Sequence, residues 1–231
     1  MKIKTLLFGL IAMLFLISAC VTPPQAPEEK KAPAVKKKLT IEEQEKKALE
    51  IFNSILNFSE GTDNRAAVLP KMEALYEEII ETCPDVPLVE ESYWRVITIN
   101  VDEYKPPRIE KGEKLYQDFL KRYPESPLKI YMEQSFGQFY YANKMWDKLL
   151  RFFTPNVKKF VATGKLDNSY QMFMYSEAKF NLGDIAEAEK GYRIVTEFFP
   201  KSKEGGISKN RLEEISKSKK QVPKGSPTGG A

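Results

Sequence analysis

One apolar stripe, written three times, constrains the fold of this chain more than any other feature. Each copy is aligned on a tyrosine standing eight residues before a proline: Tyr76 before Pro84, Tyr116 before Pro124, Tyr192 before Pro200. The first copy reads Leu69, Met72, Tyr76, Ile79 and Cys83; the second Ile109, Gly112, Tyr116, Phe119 and Tyr123; the third Ile185, Ala188, Tyr192, Val195 and Phe199. The gaps are 3, 4, 3, 4 in every copy. That spacing puts all five residues on one face of an α-helix, and proline ends the helix because it cannot continue the hydrogen-bond ladder. Tyr76 and Tyr116 are 40 residues apart, but Tyr116 and Tyr192 are 76 apart, so a further copy is due near position 154. Trp146, Leu149, Phe153 and Phe160 keep its register, with Asn156 on the stripe and Pro155 expected to interrupt the helix.

A second helix is expected before each stripe. Thr40 with Glu43 predicts a capping box ahead of a helix over residues 41–57, and Ser126-Pro127 predicts a cap and first-turn proline ahead of 128–143. Asn168 predicts the cap of a helix running to about residue 182, Gly183 the turn after it, and Asp184 with Glu187 the capping box of the next helix. One hairpin cannot bury both sides of its stripe, so each tyrosine is expected to pack against the neighbouring unit. The fold class expected is therefore all-α: an α-solenoid of about four helical hairpins plus a short C-terminal capping helix, spanning residues 39–216. Cys83 occupies a stripe position and is read as a core residue rather than a reactive thiol.

Neither end of the chain reads as core. Residues 1–19 carry two lysines, then an almost wholly apolar run, then the small residues Ser18 and Ala19; this is the pattern of a secretory signal peptide, and the run falls short of the roughly 20 residues that span a bilayer. The segment "ISAC" resembles the lipobox of bacterial lipoproteins. The resemblance implies cleavage before Cys20 and acylation of Cys20, a membrane anchor through the N-terminal lipid. Val21 stands where an aspartate resembles an inner-membrane retention signal, so an outer-membrane, periplasm-facing location is expected. Residues 20–38, rich in proline and lysine, predict a disordered tether reaching about 60 Å at roughly 3.3 Å per residue. Residues 217–231, with four lysines and no acid, predict a disordered basic tail.

Charge bookkeeping separates these ends from the middle. The signal segment holds +2, residues 21–38 +3 and the tail +4 of a whole-chain +4, which leaves −5 for residues 39–216. A mildly acidic folded part gives no nucleic-acid footprint. With Cys83 as the one cysteine besides Cys20, no intrachain disulfide is expected within the mature domain, and stability has to come from packing.

Residues 175–200, "YSEAKFNLGDIAEAEKGYRIVTEFFP", resemble a tetratricopeptide repeat. Glycine stands at the turn, Ala188 where two helices approach, aromatics at Phe180 and Tyr192, and Pro200 closes the unit. Met72 and Leu149 are larger than the small residue that family favours, and the spacing exceeds its 34 residues, which implies longer helices or turns. The resemblance implies that first helices line a concave face, where Trp94, Tyr104, Tyr131, Gln138, Tyr141, Tyr170 and Phe180 are candidates for a partner groove. A lipid-anchored array of such repeats is also similar to the lipoprotein scaffold of the β-barrel assembly machine. Pilus-assembly pilotin lipoproteins and cell-division-linked periplasmic repeat proteins are the competing relatives.

Residues that carry chemistry are scarce. The chain has no histidine, no C-x-x-C and no Gly-rich phosphate loop. The carboxylate pairs Glu77-Glu78, Glu90-Glu91 and Glu213-Glu214 lie among lysines at helical spacing and read as solvated faces. The expectation is a non-enzymatic binder of envelope proteins that needs no cofactor, metal or nucleic acid; a cell-wall hydrolase built on paired acids is the enzymatic alternative.

Overall fold

The computed structural model describes residues 38–61 and 63–221, and these hold nine α-helices and no strand. The signal segment, Cys20, residues 21–37 and residues 222–231 lie outside the described residues. In chain order the helices are α1 (Ile41–Glu60), α2 (Arg65–Thr82), α3 (Leu88–Thr98), α4 (Ile109–Arg122), α5 (Lys129–Ala142), α6 (Trp146–Thr163), α7 (Ser169–Asn181), α8 (Ile185–Phe198) and α9 (Lys203–Gln221). A π-helical turn, Ile99–Glu103, prolongs α3. Consecutive helices pack closely on one another, α4 and α5 excepted, and the odd-numbered helices α1, α3, α5, α7 and α9 also pack on one another in order.

The tyrosine-to-proline motif acts as expected. Helices α2, α4 and α8 stop at Thr82, Arg122 and Phe198, each two residues before its proline, and the capping residue leaves helical geometry at nearly the same angles in all three: φ −128, −131 and −132. The cap N–H still closes one last helical bond, from Cys83, Tyr123 and Phe199 to Ile79, Phe119 and Val195. A residue before proline is pushed out of the α region, so the repeated proline stops the three helices in the same way. Helix α6 lacks that proline and ends instead on Gly164 in the left-handed region, at φ 66.

Pro155 does not interrupt α6, which runs unbroken through it. The residues around it are pinned: Phe153 is fully buried, and the Asn156 side chain donates to Glu133 at 3.3 Å. The Thr40 capping box is present in full, with Glu43 N donating to Thr40 Oγ1 at 3.2 Å and Thr40 N to Glu43 Oε2 at 2.8 Å. At Asp184 only half the box forms, because Glu187 turns its carboxylate to Lys190. Ser126 accepts from Leu128 N in the turn and does not cap α5, whose first residue is Lys129. The α7–α8 turn uses Gly183 at φ 84, whereas the corresponding α5–α6 turn holds Lys144 at φ 54, a conformation that costs any residue with a Cβ.

The stripe is largely buried, and its tyrosines differ in their aromatic partners. The Tyr116 ring meets Phe136 of α5 and stacks on Phe152 of α6. Tyr76 meets the Phe52 ring of its own hairpin and lines a cavity with Arg95 and Ile99 of the next, and Tyr192 meets the rings of Phe173 and Phe180 of its own hairpin. Cys83 is fully buried, as expected for a core position.

The capping helix is not short. Helix α9 has 19 residues and continues to Gln221, five residues past the boundary drawn from charge. Ile215 is buried, and Lys219 pairs with Glu189 of α8, which holds the lysine-rich end against the hairpin before it. Among the described residues, no helix is long and apolar enough to cross a membrane.

Candidate functional site

Three buried glutamates, none of them among the candidates drawn from the sequence, tie the hairpins together. Glu73 on α2 is 5% exposed and accepts from Asn100 at 2.7 Å, Tyr104 at 2.8 Å, Arg108 at 3.1 Å and Lys111 at 2.7 Å. Glu133 on α5 is 3% exposed and accepts from the Tyr116 hydroxyl at 3.0 Å, Gln171 at 2.5 Å and Asn156. Glu177 on α7 is fully buried and accepts from the Tyr192 hydroxyl at 2.7 Å, the Tyr141 hydroxyl at 2.9 Å and the Arg211 guanidinium at 2.9 and 3.1 Å. Glu73 thus ties its hairpin to the next one, and Glu133 and Glu177 each gather donors from more than one hairpin. A buried charge is tolerated because its oxygens are filled.

The electrostatics follow from burial. Burial presses the Glu73 carboxyl pKa upward, but hydrogen bonds from Lys111, Asn100 and Tyr104 outweigh it and hold the group below the usual carboxylate value. Burial, reinforced by Glu133 and Glu177, drives the Tyr116 and Tyr192 hydroxyls far above an ordinary phenol, so both stay donors. Because the folded pKa of Glu73 is depressed, its contribution to stability is present above about pH 4.3 and is lost as pH falls through the lower folded value. Melting temperature should therefore fall on acidification from about pH 5 to about pH 3. Glu73→Gln should flatten that fall; an identical pH profile in the two proteins would contradict the role given to Glu73.

The candidate groove residues divide into two sets. Tyr104 lies past the π-turn, donates to Glu73 and is covered by the Arg108 guanidinium 3.6 Å from its ring. Tyr141 donates to Glu177. Tyr170 packs against α5, where its hydroxyl donates to the Gln134 carbonyl at 3.2 Å and a side chain at Gly137 would clash with it. Phe180 sits under Arg211 at 4.8 Å. These four are interface residues of the fold.

Tyr131 and Gln138 remain exposed, with Trp94 partly buried beside them. Tyr131 is 49% exposed, and its ring lies 5.1 Å from that of Trp94 across α3 and α5. Arg95, paired with Glu91 at 2.9 Å, stands over Trp94 at 4.2 Å. Gln138 is exposed seven residues after Tyr131, on the same face of α5 two turns on. The result is an open ledge of two aromatic rings, one guanidinium and one amide.

No protein-family model matches this chain, and a search of curated proteins finds no match either. The ledge therefore has to be read from its own chemistry. It offers stacking area, one cation and amide hydrogen bonds, and it brings together no nucleophile and base. Among the described residues, no cluster of three or more Cys, Asp or Glu has the geometry to hold a metal ion. Periodicity put all seven candidates on first helices or near them. It did not reveal that a hydroxyl at Tyr104 or Tyr141 would be claimed by a buried carboxylate. The one available signal was Glu133 itself, an acid in core register with Phe136 and Tyr140.

Proposed function

We propose that this chain is a non-enzymatic scaffold anchored through lipid on Cys20 in the outer membrane of a bacterial envelope. In this reading its four hairpins form a tetratricopeptide-like solenoid closed by α9, which faces the periplasm and binds protein partners. The resemblance to the β-barrel assembly lipoprotein makes outer-membrane protein assembly the favoured pathway. The solenoid reading is supported by the ordered packing of odd-numbered helices on one another, the arrangement that makes first helices a continuous inner surface. The observation that carries the binding function is the Trp94–Tyr131 ledge. A partly buried tryptophan beside a half-exposed tyrosine, with an arginine over the indole, are the residue types that dominate interface energetics.

Two experiments test the parts separately. Cys20→Ser should abolish incorporation of a labelled fatty acid and leave an unprocessed precursor; equal label in wild type and variant rules out the anchor. Trp94→Ala and Tyr131→Ala should leave the helical circular dichroism unchanged while weakening partner co-purification by about 1 kcal/mol or more each. Tyr170→Ala, in contrast, should lower the melting temperature. Folded ledge variants that capture partners as well as wild type would place the binding surface elsewhere.

A further inference from the structure

The folded part is mildly acidic, but its charge is unevenly spread. Residues 129–163, the α5–α6 hairpin, hold six lysines and arginines against two carboxylates, Glu133 and Asp147. Glu133 is already occupied by Tyr116, Gln171 and Asn156.

Much of this charge borders one trench. Helices α4 and α6 meet through Tyr116 on Phe152 and Glu113 on Lys148, and two adjoining cavities of about 320 and 330 Å³ lie beside these contacts. The cavities share Tyr116, Gln117, Arg151 and Phe152, so they form one continuous channel along the helices. One wall is a single face of α4: Glu113, Tyr116, Gln117 and Leu120. The other is a single face of α6: Lys148, Arg151, Phe152 and Lys159. Lys129 and Glu133 of α5 lie at the floor. From Lys148 to Lys159 the wall runs about 16 Å at 1.5 Å per residue, room for about five residues of extended chain.

Two of its cations are unanswered. Lys148 pairs with Glu113 at 3.2 Å and Lys159 with Asp167 at 3.1 Å. Arg151 bonds only the Asp147 carbonyl, and Lys129 has no carboxylate partner among the described residues. Between them lie the stacked rings of Tyr116 and Phe152, 5.4 Å apart. The chain's own terminal segments are both basic and would be repelled, and a membrane surface is flat where this site is concave. We infer that the α4–α6 trench docks a short, extended, acidic peptide of a partner protein. The peptide's carboxylates meet Arg151 and Lys129, and one aromatic or aliphatic side chain rests on the partly exposed Phe152 and Leu120.

This site is distinct from the ledge. Tyr131 is two residues from both Lys129 and Glu133, about 200° round the helix, so the two surfaces lie on opposite sides of α5. The inference needs neither the lipid anchor nor partner capture at Trp94.

Fluorescence anisotropy on the full chain in detergent tests it. The probe is a labelled, end-blocked Glu-Asp-Phe-Asp-Glu peptide, with the lysine counterpart Lys-Lys-Phe-Lys-Lys as comparison. The acidic peptide should bind, the basic one should not, and affinity should fall with added salt. Arg151→Glu and Lys129→Glu should each weaken binding about tenfold, with Arg151→Gln intermediate. Lys209→Glu, the same charge change on the exposed face of α9, should leave it within about twofold. No binding up to about 1 mM peptide, equal binding of the basic peptide, or equal losses in Lys209→Glu and Arg151→Glu overturns the proposal. So does displacement of the probe by short-chain phosphatidylglycerol or a short oligonucleotide more readily than by unlabelled acidic peptide, which would assign the trench to lipid or nucleic acid.

Discussion

Replacing Arg211 with methionine should destabilise the folded domain by about 3–5 kcal/mol, the cost of leaving a buried charge without its partner. Methionine keeps most of the apolar stem and removes the guanidinium, which lies over Phe180. Glu177, whose side chain is fully buried, would then keep only the Tyr141 and Tyr192 hydroxyls. Glu177→Gln added to Arg211→Met should recover much of the loss, because a neutral amide no longer demands a cation. The exposed partner of Arg211 gives the internal comparison: Glu214→Ala breaks a surface pair and should cost no more than about 1 kcal/mol. Denaturant melts rank the four proteins, and amide exchange in α9 shows whether the loss begins there. A variant that melts like wild type would mean α9 is not closed by this pair.

Tyr116→Ala should cost a similar amount, about 3–5 kcal/mol, through loss of the ring packed against Phe136 and Phe152. Tyr116→Phe isolates the hydroxyl. It leaves Glu133 with Gln171 and Asn156 only, at a cost of about 1–3 kcal/mol. Tyr76 occupies the same motif position, yet its hydroxyl makes no hydrogen bond among the described residues, so Tyr76→Phe should be nearly neutral. Glu78→Ala, which breaks a surface pair with Lys47, should also be small. Thermal melts separate these cases, and equal losses for the two Tyr→Phe variants would remove the special place given to Glu133.

The contrast between Tyr76 and Tyr116 shows what periodicity can carry. A 3, 4, 3, 4 stripe ending at proline states which face is buried and where the helix stops, because both depend on local geometry. It does not state what lies across the interface. Glu133 and Glu177 show no partner until the hydroxyls and amides of other helices are brought to them, and those donors come from 15 to 38 residues away. Tyr93 and Tyr140 follow the same rule, donating to Asp118 and Glu113. Four of the seven aromatic and polar groove candidates were therefore spent inside the fold, and Trp94, Tyr131 and Gln138 stayed outside. Pro155 misled for a related reason: tertiary contacts at Phe153 and Asn156 override its local preference. The end of α9 misled because a lysine-rich sequence reads as a solvated tail, although Ile215 and the Lys219–Glu189 pair hold it in place.

The central claim is that a lipid-anchored array presents the Trp94–Tyr131 ledge to a protein partner. Its most direct test is a photo-crosslinking amino acid placed at Tyr131 in the native cells, with Lys209 as the comparison site. The account predicts a discrete protein adduct at Tyr131 that is absent at Lys209, weakened by Trp94→Ala and lost with Cys20→Ser. Adducts of equal yield at both sites, or a Tyr131 adduct indifferent to Cys20 and Trp94, would contradict it.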